Sequence, residues 1–163
     1  MIQTALIAEI LVLLAVANGS PIAAKRLLGD RFAYPLDAGR LFTDGRPIFG
    51  RSKTVRGIAV SVVSTSLVSA LLGEPLAFGA LVSLASMTGD LLSSFVKRRL
   101  GLAPSSQATG LDQIPESLLP ALACYFHVGL TLPGVAVVVA AFLVGAIVLS
   151  NLLYRIGFRD RPH

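Results

Sequence analysis

The chain has 163 residues, of which 54% are hydrophobic and only 14% are charged, with a net charge of +5. Soluble domains usually carry about 25% charged residues, so this composition excludes an ordinary soluble domain and indicates an integral membrane protein. The basic residues are interleaved with Asp, Gly and Pro and match no nucleic-acid-binding motif, so a nucleic acid is not an expected partner.

Five apolar segments predict an all-α, polytopic bundle of five transmembrane helices that forms a single domain over residues 1–163. The predicted spans cover about 4–24, 58–72, 76–92, 118–132 and 135–154. Asn18 to Pro21 are expected to interrupt the first helix near its end. Gly73 to Pro75 and Pro133–Gly134 predict two tight turns between helices.

The second, third and fourth spans are short for a bilayer. A helix of about 16 residues rises only ~24 Å, whereas the hydrocarbon core is ~30 Å thick. Either the bilayer thins around these helices or the helices extend into their polar flanks, and we favour the second interpretation. Small residues recur four apart in the second and third spans, which predicts close helix packing; they are Ser61, Thr65 and Ser69, and Gly79 and Ser83.

The distribution of basic residues predicts the orientation. All 14 lysines and arginines fall within residues 25–56, 97–99 and 155–161. Because basic residues near membrane spans stay in the cytoplasm, the pattern places the N-terminus outside and the C-terminus inside. The cytoplasmic loops are then about 25–57 and 93–117, and any chemistry on a polar substrate is expected at the cytoplasmic face.

Asp90 is the most informative candidate residue, because a carboxylate at membrane depth is costly unless it is paired or metal-bound. Helical spacing places it on one face with Ser93, Ser94 and Lys97. Asp112 follows in the same loop. Two aspartates beside basic residues suit Mg²⁺ that bridges phosphates. The alternative is that Asp90 only neutralises Lys97 and caps a helix end, and spacing alone leaves both interpretations open.

The first cytoplasmic loop is the second candidate. It contains Asp30, Asp37 and Asp44 together with glycines, arginines and Lys53. Glycines allow backbone to approach a ligand closely, while Arg and Lys bind phosphate. A basic loop that serves only to set the membrane orientation would need neither acidic residues nor glycines, so a role in binding or catalysis is favoured.

The segment near Pro21 has two interpretations. The Asn18 amide and the backbone groups freed by proline could line a polar cavity, or the proline could produce only a kink in the helix.

Several motifs together resemble the CDP-archaeol synthase family, which comprises archaeal membrane cytidylyltransferases related to phosphatidate cytidylyltransferases. The resemblance covers nearly the whole chain. The motifs that carry it are Asn18–Gly19, residues 35–39 (PLDAG), 44–50 (DGRPIFG) and 53–57 (KTVRG), Gly89–Asp90, residues 94–99 (SFVKRR) and Asp112–Gln113.

This resemblance implies a reaction between CTP and 2,3-bis-O-geranylgeranylglyceryl phosphate, assisted by Mg²⁺, within the cell membrane. It implies metal binding by Asp90 and Asp112, with Lys53 and Lys97 as further catalytic residues. The residues that it implies for substrate binding are Asn18, Asp37, Asp44, Arg46, Lys53, Thr54, Arg56, Ser94, Lys97 and Arg98. The expected partners are CTP, the isoprenoid ether-lipid phosphate and the bilayer.

Other functions stay open at this point. A CTP-dependent polyprenol kinase would also need metal and basic residues, but its alcohol acceptor should require a base, for which the chain offers only its aspartates. A small membrane transporter or assembly subunit would not need a nucleotide site. The short outer loops and the few polar residues within the spans count against transport. The sequence leaves open whether the chain forms a homo-oligomer.

Overall fold

Five α-helices make up the regular structure of the part of the chain described here, as the sequence predicts. A computed structural model describes residues 2–103, 108 and 110–155, with the backbone alone described for residues 2 and 150–155. The helices are α1 (Ile2–Leu28), α2 (Val55–Leu71), α3 (Leu76–Arg99), α4 (Gln113–Val128) and α5 (Leu132–Arg155). The first loop is residues 29–54, and the second joins α3 to α4.

The helices extend beyond their apolar stretches, as expected. α3 continues to Arg99 and α4 begins at Gln113, so the second loop is shorter than the predicted 93–117. By length and composition, α1, α3 and α5 each contain a stretch able to cross a membrane, whereas α2 is a shorter apolar helix of 17 residues.

The position predicted for the second tight turn is wrong. Gly129 ends α4 in the left-handed conformation, with φ 76°, and the turn covers residues 129–131 rather than Pro133–Gly134. Pro133 instead lies in the first turn of α5. Proline is tolerated there because the first backbone N–H groups of a helix have no intrahelical partner.

The expected interruption of the first helix is also wrong, because α1 continues through Pro21. Proline has no N–H to donate to the carbonyl four residues earlier, which is that of Ala17. The Ser61 hydroxyl of α2 donates to this carbonyl at 2.8 Å. The backbone group freed by proline therefore forms an interhelical hydrogen bond.

α3 occupies the centre of the bundle, in contact with α1, α2 and α4, while α5 packs against α4 and α1. The small residues predicted to pack closely do so: Ser61, Thr65, Ser69 and Ser83 are fully buried. At Gly79, an added Cβ would lie 2.5 Å from the carbonyl oxygen of Thr65. Glycine therefore permits the close crossing of α2 and α3.

The two ends of the bundle differ in chemistry. At one end, Gln3 of α1 donates to the Gly129 carbonyl at 3.0 Å and accepts from the Thr131 N–H at 3.2 Å, so α1 begins beside the α4–α5 turn. At the other end lie both loops and every lysine and arginine from Lys25 to Arg99. This separation agrees with the predicted topology, although the cytoplasmic orientation stays a prediction.

Candidate active site

Asp37 organises the first loop from within. Its side chain accepts hydrogen bonds from the backbone N–H groups of Gly39 at 3.0 Å, Phe49 at 3.0 Å and Gly50 at 2.9 Å. Burial raises the pKa of Asp37, but hydrogen bonds from Gly50, Phe49 and Gly39 outweigh it and hold the pKa below its ordinary value. The carboxylate therefore clamps two distant parts of the loop together.

Lys53 of the first loop reaches Asp90 of α3. Its Nζ lies 2.5 Å from both Oδ1 and Oδ2 of Asp90, and both side chains are about one-fifth exposed. Helical spacing alone indicated Lys97 as the possible ion-pair partner of Asp90. In the structure, Asp90 pairs with Lys53 instead. The ion pair links the loop to the end of a membrane-crossing helix.

Glu116 joins this centre, although sequence reasoning did not identify it. Its carboxyl group interacts electrostatically with that of Asp90. The contact is possible because a Cβ at Gly89 would lie 2.1 Å from the Pro115 carbonyl oxygen, so only glycine lets α3 and α4 cross this closely.

A second ion pair lies at the end of α3. Lys97 Nζ is 2.7 Å from Asp112 Oδ1, and the Lys97 side chain is buried. Asp112 Oδ2 also accepts from the Ala108 N–H at 3.1 Å. The second predicted metal ligand is therefore also paired with a lysine.

Ser94 and Arg98 are buried beside this pair, with 3% of each residue exposed. Arg98 Nη2 donates to the Ala103 carbonyl at 2.9 Å, while its Nε and Nη1 have no hydrogen-bond partner among the described residues. A buried guanidinium with free N–H groups is costly on its own. It is therefore well suited to bind an anion.

Other predicted site residues have contacts that shape the loops. Thr54 caps α2, its hydroxyl accepting from the Gly57 N–H at 3.1 Å. Arg56 Nη1 donates to the carbonyls of Gly29, at 2.9 Å, and Arg31. These contacts fix the entry to and exit from the first loop, and their predicted contacts with substrate are untested.

Asn18 lies deeper in the bundle than the other candidates. Its Nδ2 donates at 3.0 Å to the Leu14 carbonyl of its own helix and at 3.0 Å to Ser86 Oγ of α3. Ser86 precedes Asp90 by one helical turn on α3. Asn18 therefore supports the helix that carries Asp90.

Asp44 and Arg46 lie against the end of α3. Asp44 Oδ1 is 2.8 Å from Arg99 Nη1, and Arg46 Nη1 donates to the Arg99 carbonyl at 2.6 Å. In this structure the Arg46 side chain thus contacts backbone, whereas the resemblance implies contact with CTP or the lipid phosphate.

The site therefore combines three acids with three cations at one end of the bundle: Asp90, Asp112 and Glu116 with Lys53, Lys97 and Arg98. Both aspartates interact electrostatically with Glu116. Among the described residues, no three His, Cys, Asp or Glu side chains form a group that could hold a metal ion. One or two carboxylates suffice for Mg²⁺ when substrate phosphates complete its coordination.

The sequence as a whole identifies the family. A family model described as CarS-like, CDP-archaeol synthase, matches residues 4–163. The chain belongs to the CDP-archaeol synthase family. The resemblance inferred from the sequence motifs is thereby confirmed.

Individual members of the CDP-archaeol synthase family are similar over most of their length. The protein from Pyrobaculum calidifontis is 37% identical over 147 residues, which cover 86% of this chain and 81% of the relative. That from Hyperthermus butylicus is 33% identical over 142 residues, covering 83% and 82%. Both relatives are named CDP-archaeol synthase.

A solved structure is similar in fold as well. It is that of an intramembrane enzyme for archaeal membrane lipid biosynthesis, with a TM-score of 0.70 and 28% identity, covering 86% of this chain and 90% of the other. Together with the apolar helices, this similarity supports a multi-pass membrane protein. Like its CDP-archaeol synthase relatives, this chain is an enzyme.

Proposed function

We propose that this protein transfers the cytidylyl group of CTP to an isoprenoid ether-lipid phosphate, 2,3-bis-O-geranylgeranylglyceryl phosphate, and releases pyrophosphate. The observation that carries the proposal is the pair of ion pairs Lys53–Asp90 and Lys97–Asp112 beside the buried Arg98. Membership of the CDP-archaeol synthase family supplies the reaction class.

The chemistry of the reactants explains why the site is rich in charge. The lipid phosphate is already an anionic nucleophile, so the reaction needs no dedicated base. The main obstacle is repulsion between the lipid phosphate and the triphosphate. Lys53, Lys97 and Arg98 place three positive charges at the same end of the bundle, where they reduce this repulsion and stabilise the charge on departing pyrophosphate.

The acidic residues fit a magnesium site. Asp90 and Asp112 offer hard carboxylate oxygens, which Mg²⁺ prefers, and substrate phosphates and water complete the coordination. We propose these two aspartates as the metal ligands, with Glu116 as a further acid that interacts electrostatically with both. When bound, Mg²⁺ supplies charge neutralisation at the phosphates that react and depart. In the structure, Lys53 and Lys97 form ion pairs with these two aspartates.

We also propose that the site faces the cytoplasm. The described lysines and arginines lie at the loop end of the bundle, and basic residues of membrane proteins are enriched on the cytoplasmic side. CTP is a cytoplasmic metabolite, so this orientation gives the site access to it. The lipid phosphate would approach within the same leaflet.

Purified protein in detergent, supplied with Mg²⁺, tests the reaction with CTP labelled at either the α or the γ phosphate. The acceptors are an ether-lipid phosphate and the matching ether-lipid alcohol. We expect the α label in lipid, dependent on the lipid phosphate, and none from the γ label. Transfer of the γ label to the alcohol would indicate a polyprenol-type kinase. Absence of label from lipid under every condition would contradict both enzymatic functions and favour a transporter or assembly subunit.

A further inference from the structure

The first loop and the end of α3 hold each other through two arginines. Arg46 Nη1 donates to the carbonyls of Arg99 at 2.6 Å and Arg98 at 3.3 Å. The last carbonyls of a helix lack intrahelical partners and carry the negative end of the helix dipole, so a guanidinium there is favourable. Gly101 makes room for it, because a Cβ at that position would lie 3.3 Å from Arg46 Nη1.

Arg99 makes the reciprocal contacts from α3 to the loop. Its Nη1 pairs with Asp44 at 2.8 Å, and its Nη2 donates to the Pro47 carbonyl at 2.5 Å. The guanidinium also lies 4.7 Å from the ring centroid of Phe42 and 5.0 Å from that of Phe95. Planar stacking and several directed N–H groups are properties of arginine that lysine does not share.

We propose that Asp44, Arg46 and Arg99 form a latch that positions Lys53 against Asp90, and that neither arginine of the latch contacts substrate. Arg46 and Arg99 are then positioning residues for the reaction. The proposal rests on the proposed function, and it replaces the expected role of Arg46 in phosphate binding.

A short, constrained segment connects the latch to Lys53. Phe49 and Gly50 follow the latch within four residues and are held by the Asp37 carboxylate. Lys53 donates its N–H to the Gly50 carbonyl at 3.1 Å, and its own carbonyl accepts from Leu36 at 2.8 Å. Because hydrogen bonds hold this segment at Phe49, Gly50 and Lys53, we expect displacement of the latch to displace the Lys53 backbone.

A double-mutant cycle between Arg46 and Arg99 tests the latch. Arg46→Ala and Arg99→Ala should each lower kcat by roughly 10–100-fold, since a misplacement of about 1 Å costs on the order of 10²-fold. The CTP KM should change less. Because either substitution opens the same latch, the double variant should be no slower than the slower single variant.

A direct phosphate ligand would behave differently. If Arg46 bound CTP or the lipid phosphate, Arg46→Ala would raise the KM of that substrate, and its effect would multiply with that of Arg99→Ala. Multiplicative effects, or normal kcat in Arg99→Ala, would overturn the latch. Arg40→Ala is the matched control, because it removes an exposed arginine of the same loop that is outside the latch and the proposed site.

Folding and reaction class are measured separately. Cys124 is the single cysteine and is buried, so its reaction with a thiol-specific dye on heating reports unfolding of the bundle. If an alanine variant unfolds, Arg46→Lys and Arg99→Lys provide the same cycle, and additivity there would equally overturn the latch. Inactivity of the wild-type protein in the α-label assay would instead contradict the proposed function.

Discussion

The Nζ of Lys53 lies 2.5 Å from both carboxylate oxygens of Asp90, 37 positions later in the chain. The first loop and α3 thus meet at one charged centre, to which α4 adds Glu116. The first loop therefore contacts Asp90 through Lys53, and α4 interacts with it through Glu116.

Replacing Asp90 by alanine should leave a folded protein with little activity. The carboxylate is proposed to hold Mg²⁺, and stabilisation of this kind contributes several kcal/mol, so the rate should fall by at least about 10²-fold. Transfer of the α label from CTP to lipid measures the rate. Thr88→Val is the control on the same helix, because Thr88 is exposed and its hydroxyl donates to the Leu84 carbonyl of its own helix. Near-normal activity of Asp90→Ala would remove Asp90 from the mechanism.

Replacing Gly89 by alanine should destabilise the bundle. The added methyl would lie 2.1 Å from the Pro115 carbonyl oxygen, so α3 and α4 would have to separate. We expect a loss of about 2–4 kcal/mol, as for overpacked sites where backbone must move. Gly145→Ala of α5 is the matched control, since nothing lies within 4 Å of its added Cβ. Thermal unfolding followed through Cys124 compares them, and equal stability of the two variants would contradict the close crossing.

Ser61 and Pro21 should be coupled in stability. Ser61→Ala leaves the buried Ala17 carbonyl without its 2.8 Å hydrogen bond, at a cost of about 1–3 kcal/mol. In a Pro21→Ala background, residue 21 regains an N–H that can donate to that carbonyl, so Ser61→Ala should cost less. Thermal unfolding of the four proteins measures the difference. Equal costs in both backgrounds would show that the hydroxyl does not compensate for proline.

Asp37 should make the first loop sensitive to acid. Its pKa is lowered from the ordinary value of 3.8, so its ionised form stabilises the folded loop above that pH. This contribution is lost as pH falls through the lower, folded pKa. Limited proteolysis of the loop should therefore differ between wild type and Asp37→Asn at pH 6, and the difference should shrink at pH 3. A difference that persists unchanged at pH 3 would contradict this role.

The sequence predicted the helices well where composition and periodicity determine them. Five helices, their extension into polar flanks and the buried face with Ser61 and Ser83 all follow from apolar length and four-residue spacing. The prediction of a break at Pro21 was wrong, because Ser61 on another helix donates a hydrogen bond to the freed carbonyl of Ala17. Sequence spacing within one helix cannot reveal such a partner.

The contacts within the proposed site depend on the three-dimensional fold in the same way, and the roles of its residues stay predictions. The sequence indicated Asp90, Asp112, Lys53 and Lys97 as functional, but their pairing depends on how the first loop folds over α3. Glu116 was missed, although it follows Asp112 by four residues and so lies on the same helical face. Its contact with Asp90 requires the glycine crossing at residue 89, which becomes visible only in three dimensions.

The crossing at Gly89 has a mechanical consequence for the catalytic cycle. Backbone meets backbone there, so α3 and α4 have no compressible layer of side chains over which to slide or rotate. We therefore expect the half of the site that carries Asp90 and Glu116 to move little during the reaction. We expect the movement that admits a nucleotide and releases pyrophosphate to occur in the segment that bears Lys53, because hydrogen bonds and ion pairs that can break and reform hold it in place.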